Sequence, residues 1–162
     1  MTKIGTRLYN TTMHAEEFLS CHMWLWWILN FTWGIVYTII AAFIALFILI
    51  FKKPVISKFH EAICFIFGNN WGGLEGVFFI FVADKMGDSW TLHTKQHELG
   101  HSFQNAIFGP LNLFLTLIPS AIRYWYIKLT KNNTIIYDAI WFEKSATDAG
   151  KAYDEFCKKN SR

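Results

Sequence analysis

In a chain of 162 residues, 53% hydrophobic and 19% aromatic, there is room for one domain, and its composition is greasier than that of ordinary soluble proteins. A formal net charge of only +3 gives no basis for nucleic-acid binding. The three cysteines, Cys21, Cys64 and Cys157, are too far apart to suggest a disulfide framework or a thiolate metal site.

The first 23 residues read as an N-terminal segment. Between Glu17 and Lys52 there is no Asp, Glu, Lys or Arg, and the run 24–51 can cross a hydrocarbon core about 30 Å thick with length left for tilt. It predicts one long transmembrane helix. The apolar part of a cleaved signal peptide would be only about 7–15 residues. Trp24, Trp26, Trp27 and Trp33 crowd its N-terminal end, as interfacial aromatics do. Lys52, Lys53 and Lys58 follow it directly, whereas Glu16 and Glu17 lie on the other flank, so the positive-inside rule favours a cytoplasmic C-terminal part.

Residues 62–67 and 77–82 are short hydrophobic runs separated by a turn-rich stretch, and neither can span a membrane alone. The second reads as a strand. It serves either as buried core or as an edge that holds an extended peptide by backbone pairing.

A helix is expected over 90–108, with Asp88 or Ser89 as its N-cap and Gly109-Pro110 as its stop. It carries His97-Glu98-Leu99-Gly100-His101. Two imidazoles one helical turn apart converge on one ion, and a carboxylate beside them reaches a water there without being a ligand, which is the pattern of a zinc hydrolase. Leu92, Leu99, Phe103 and Ala106 fall on a separate stripe suited to the core. The plainer alternative is a solvated polar face. Gly100 argues against it, because a glycine inside a helix costs about 1 kcal/mol relative to alanine unless something packs closely there. His93 is excluded as a ligand shared with both histidines, since eight residues of helix separate it from His101 by about 12 Å; it reads as a substrate-side or merely polar group.

From Leu99 to Ile122 there is again no Asp, Glu, Lys or Arg, but Gly109, Pro110, Asn112 and Pro119 interrupt the run. That favours an interfacial or re-entrant segment over a second clean span. Arg123, Lys128 and Lys131 mark the return to water or headgroups.

Farther on, residues 141–150 read Trp-Phe-Glu-Lys-Ser-Ala-Thr-Asp-Ala-Gly. Together with the histidine helix, this stretch resembles the gluzincin metallopeptidases, thermolysin-like and membrane-bound zinc proteases in which a later helix supplies a glutamate ligand. There the glutamate is followed at plus three by a small residue and at plus four by an aspartate that orients a zinc histidine. Glu143 and Ala146 match. Position 147 is threonine and the aspartate comes at Asp148, turned by about 100° on a helix, so Thr147 takes over the weaker form of that hydrogen bond. The alternative for Glu143 is a surface carboxylate paired with lysine. The order Gly72-Gly73, the strand 77–82, Gly109-Pro110-Leu111, Ile118-Pro119-Ser120 and Glu143-Lys144 is also similar to that of small bacterial membrane proteins, over about residues 72–150.

These resemblances imply a mostly α membrane protein in three parts: segment 1–23, transmembrane helix 24–51, and a minimal zincin-like domain over 52–162 with a short strand or hairpin. They imply a zinc peptidase in a bacterial inner membrane, its site on the cytoplasmic side and its partners a lipid bilayer and a peptide or protein substrate. His97, His101 and Glu143 would hold Zn2+ and Glu98 would be the general base, with His93, Thr147 and Asp148 as supporting groups. His93, Arg123, Tyr137 and Tyr153 are each able to stabilise an oxyanion. The competing expectation is a non-catalytic pore-forming or partner-binding membrane protein whose zinc is structural and closed by a fourth protein ligand.

Overall fold

A computed structural model describes residues 1–68, 72–84, 87–131 and 137–160. Most of them are helical, and the rest centre on one small sheet. Helix α1 (Lys3–Cys21) starts at Thr2, whose hydroxyl accepts from the Gly5 N–H at 3.1 Å.

The expected single helix over 24–51 is two, α2 (Met23–Phe31) and α3 (Ile35–Lys52), divided at residues 32–34. Buried polar groups build the break. The Asn105 amide donates to Asn30 Oδ1 at 2.7 Å, and the Thr38 hydroxyl donates to the Asn30 carbonyl at 3.0 Å. A Cβ on Gly34 would stand 2.4 Å from Asn105 Nδ2, so glycine leaves the room that the Asn105 amide occupies here. The Thr38 hydroxyl thereby meets a carbonyl that the interrupted helix leaves without its usual donor. Among the described residues, α3 is the one unbroken helix long and apolar enough to cross a membrane. Tyr37, Ala41, Ala45 and Ile48 form its buried stripe, while Phe43, Phe47, Ile50 and Phe51 face outward.

Strands β1 (Val55–Phe59), β2 (Ala62–Phe67), β3 (Gly73–Gly76) and β4 (Phe79–Ala83) form a mixed sheet in the order β1-β2-β4-β3. β1 and β2 are antiparallel, β2 and β4 parallel with Phe65 opposite Phe81, and β3 and β4 antiparallel with Glu75 opposite Ile80. Period-two alternation assigns the faces. Ala62, Cys64, Ile80 and Val82 join the core with Leu99, Phe103 and Trp26, whereas Phe65, Phe67 and Phe81 pack with Ala45 and Ile48 of α3.

Two expectations for 77–82 are corrected. The strand begins at Phe79, because Val77 sits in the left-handed region at φ +62°, a strained place for a β-branched residue, and its N–H donates to Glu75 Oε1 at 2.6 Å to close a tight turn. Nor is this strand an edge. β4 lies between β2 and β3, and the edge beside the histidine helix is β3.

Helix α4 (Asp88–Phe108) follows Gly87, at φ +84°, so its N-cap is this glycine and Asp88 falls in the first turn, where the helix dipole favours a carboxylate. It stops at Gly109, where a Cβ would stand 2.2 Å from the Trp33 indole nitrogen. A 3-10 turn (Gly109–Leu111) and a π-helical turn (Leu113–Leu117) then lead into α5 (Ile118–Thr130). Between Asp88–Leu111 and Leu113–Thr130 the axis bends by 115°, folding the uncharged stretch back on itself. Helix α6 (Trp141–Asn160) packs along α4, and α1 lies against both.

Candidate metal centre

Three side chains from two helices meet at one point. His97 and His101 project from the same face of α4, and Glu143 enters from the first turn of α6. The Glu143 Oε2 atom stands 3.1 Å from His97 Nε2 and 3.3 Å from His101 Nε2, and the two nitrogens are 3.2 Å apart. All three residues are buried, Glu143 completely. Tetrahedral ligands about 2.0–2.1 Å from a zinc ion stand about 3.3–3.4 Å apart, so this nearly equilateral triangle has the spacing of three ligands of one ion. Glu143 Oε1 is buried with no hydrogen-bond partner among the described residues. A buried His/His/Glu group of this kind can hold a metal ion.

The far side of each imidazole is held as well. His97 Nδ1 is 2.7 Å from Thr147 Oγ1, and His101 Nδ1 is 2.8 Å from Gln104 Oε1. The Gln104 amide nitrogen donates to the Phe142 carbonyl at 2.7 Å and to Ser145 Oγ at 2.8 Å. Its orientation is thereby set, Oε1 can only accept, His101 Nδ1 carries a hydrogen, and Nε2 is the nitrogen that faces the centre. Asp148 takes no part: its Oδ2 accepts from the Tyr9 hydroxyl at 2.7 Å and pairs with Lys144 at 2.6 Å. His93 stays outside the triangle, its ring stacked 6.3 Å from that of His97.

Electrostatics agrees with a site built for positive charge. Burial would lower the pKa of His101, but the hydrogen bond and charge of Glu143 outweigh it and hold the imidazole up at about 10. Burial likewise pushes Glu143 upward, and hydrogen bonds from His101 and His97 overcome it to keep the carboxylate far below its usual range. A proton and a cation therefore compete for the same three atoms. Glu98 is different. Burial raises its pKa, although His97, His101 and the backbone N–H of Glu75 favour its charged form.

The triangle opens into a cleft of about 60 Å³ lined by Gly73, Glu75, Glu98, Thr116, Ser120 and Tyr137, among others. The β3 edge presses directly on Glu98, since a Cβ on Gly73 would stand 2.4 Å from Glu98 Oε1. Of the four oxyanion candidates, Tyr137 lines this cleft, its ring 6.2 Å from His97 and its hydroxyl 2.6 Å from Ser120 Oγ. The Arg123 side chain donates to the Tyr137 carbonyl at 2.9 Å, and Tyr153 packs in the core against Phe103.

The sequence reading overlooked Gln104, Ser120, Glu75 and Glu16. For Gln104 a local signal existed, because position i+3 from His101 shares its helix face. For Ser120, Glu75 and Glu16 there was none, since each reaches the site through the tertiary fold. The chain matches no family model, no curated protein and no solved structure.

Proposed function

We propose that the protein is a zinc-dependent peptidase of gluzincin type, held at a bacterial membrane by the outward apolar face of α3. The observation that carries this reading is the convergence of His97 Nε2, His101 Nε2 and Glu143 Oε2 to within 3.1–3.3 Å of one another beside Glu98, on an open cleft. Two imidazoles and a carboxylate are the donor set of catalytic zinc sites that leave one position free.

A zinc ion held by His97, His101 and Glu143 would supply Lewis acidity, lowering the pKa of water toward about 7 and polarising a carbonyl oxygen. Glu98 accepts the proton of the attacking water on its carboxylate and returns it to the leaving amine. Burial pushes its pKa up from the ordinary carboxylate range. Tyr137, with Ser120 at its hydroxyl, donates to the oxygen that gains charge as the carbonyl is attacked. Gln104 keeps the His101 imidazole in its productive tautomer, and Thr147 holds the His97 ring at its far nitrogen.

Membrane attachment is supported by the exposed apolar side of α3 and by α5, where Ile122, Trp125, Tyr126 and Leu129 are exposed and Lys128 lies over the Tyr124 and Trp125 rings at 5.3 and 5.0 Å. An amphipathic helix with aromatic and basic residues suits a headgroup layer. The peptidase reading is tested by Glu98→Gln. The purified variant should keep one zinc per chain and lose peptide hydrolysis. Retained hydrolysis, or loss of zinc from this change alone, would overturn it.

A further inference from the structure

A glutamate side chain turns about several bonds, yet a general base must stand within about 2.6–3.2 Å of the proton it takes. Something has to fix the Glu98 carboxylate, and strand β3 does so from one side. A Cβ on Gly73 would collide with Glu98 Oε1 and with the Thr94 methyl, and the Glu75 backbone N–H donates to the Glu98 carboxylate. The Glu75 carboxylate is engaged elsewhere, because its Oε1 accepts from the Val77 N–H at 2.6 Å and closes the turn that follows.

β3 is itself an edge strand, paired only with β4. Its position is held from outside the sheet by α3. The buried Tyr37 hydroxyl donates to the Glu75 carbonyl at 2.9 Å. One turn farther along the helix, Ala41 lies so close that a Cβ on Gly76 would stand 3.0 Å from its methyl. The N–H and carbonyl of one strand residue point to the same side, so Tyr37 and Glu98 take hold of Glu75 along a single edge. A hydroxyl that pins the carbonyl there also aims the N–H.

Resting on the peptidase reading above, we infer that Tyr37 is a positioning residue for the base: by holding the Glu75 carbonyl it aims the N–H that orients Glu98. It touches neither the ligand triangle nor the cleft, and acts only through the backbone of β3. Helix α3 therefore turns an apolar face outward and fixes the base from its buried one.

The test is a double-mutant cycle on the zinc-loaded, full-length chain, read by calorimetric binding of acetohydroxamate. This small zinc chelator gives its hydroxyl proton to a base beside the ion, so its affinity reports where the Glu98 carboxylate stands without any turnover. Glu98→Gln should weaken it about tenfold or more. Tyr37→Phe, which removes only the hydroxyl, should weaken it about three- to tenfold with zinc content unchanged, and by less than about twofold in the Glu98→Gln background. A hydroxyl with a structural role alone would give the same loss in both backgrounds. Ala41→Val, which presses on β3 at Gly76, should show the same dependence on Glu98 and replaces Tyr37→Phe if that variant does not fold. Native affinity in Tyr37→Phe, or an equal loss with and without Glu98, would overturn the positioning role and leave the metal centre standing. A native chain that takes up no zinc or binds no acetohydroxamate, or native affinity in Glu98→Gln, would overturn the peptidase reading as well.

Discussion

Gly100 on α4 and Ala146 on α6 touch backbone to backbone: a Cβ on Gly100 would stand 1.8 Å from the Ala146 carbonyl oxygen. Gly150 repeats the arrangement one turn farther along α6, where a Cβ would stand 1.8 Å from the Gln96 carbonyl. Gly100 precedes His101 and Ala146 lies one turn after Glu143, so this closeness sets the reach from the carboxylate to both imidazoles. Gly100→Ala should force the helices apart, lowering stability by about 1–3 kcal/mol or more and weakening zinc binding with it. Chemical denaturation and a zinc titration check this. Zinc affinity equal to that of the native chain would contradict it.

Thr147 holds the far nitrogen of the His97 imidazole, and Asp148, one residue on, points to Tyr9 and Lys144 instead. Since Thr147 Oγ1 meets His97 Nδ1 at 2.7 Å, Thr147→Val should weaken zinc binding by about 10- to 100-fold, and Thr147→Ser should restore it. Asp148→Asn should leave affinity unchanged, because that carboxylate is engaged by Tyr9 and Lys144. Competitive titration against a chelator of known affinity would decide, and a larger loss for Asp148→Asn than for Thr147→Val would refute the assignment.

What the sequence revealed was local. The histidine spacing, the glycine inside the helix and the Gly109-Pro110 stop all act within a turn or two, and α4 forms nearly where they place it. Residues 62–67 read only as a short hydrophobic run, too short to span a membrane, and that run forms β2. The break at 32–34 was not legible, because an apolar run looks continuous until Asn105, far along the chain, supplies the amide that holds Asn30. β1 and β3 escaped notice for a similar reason. β3 is two glycines around Leu74 and Glu75, with no apolar alternation of its own, and it becomes a strand by pairing with β4.

Glu16 makes stability depend on pH. It is completely buried on α1 beside Gln104 and Ser145, neither of which aligns for a full hydrogen bond with its carboxylate, and burial pushes its pKa from 4.5 up to about 8. Between those two values the folded chain keeps a proton that the unfolded chain has released, so Glu16 costs stability progressively as pH rises from 4.5 to about 8. Glu16→Gln, neutral and of the same shape, should therefore raise the denaturation midpoint far more at pH 8.5 than at pH 4.5. An equal gain at both would show that the buried carboxyl does not titrate in this window.

If α3 is the membrane anchor, Lys53 and Glu143 share one side of the bilayer. Single cysteines at Lys53 and at exposed Ala139, in a chain whose three native cysteines are replaced, should react with an impermeant thiol reagent from the same, cytoplasmic face. Labelling from opposite faces would mean that the bent stretch from α4 into α5 crosses the membrane.

The most direct test of the metal centre sets Glu143 against His93. Purified wild-type protein should bind one zinc per chain, Glu143→Ala should lose more than the 10- to 100-fold typical of residues behind a ligand, and His93→Ala should stay within about tenfold of wild type. If His93→Ala strips the zinc and Glu143→Ala retains it, the His97, His101 and Glu143 triangle is not the metal site and the peptidase account fails with it.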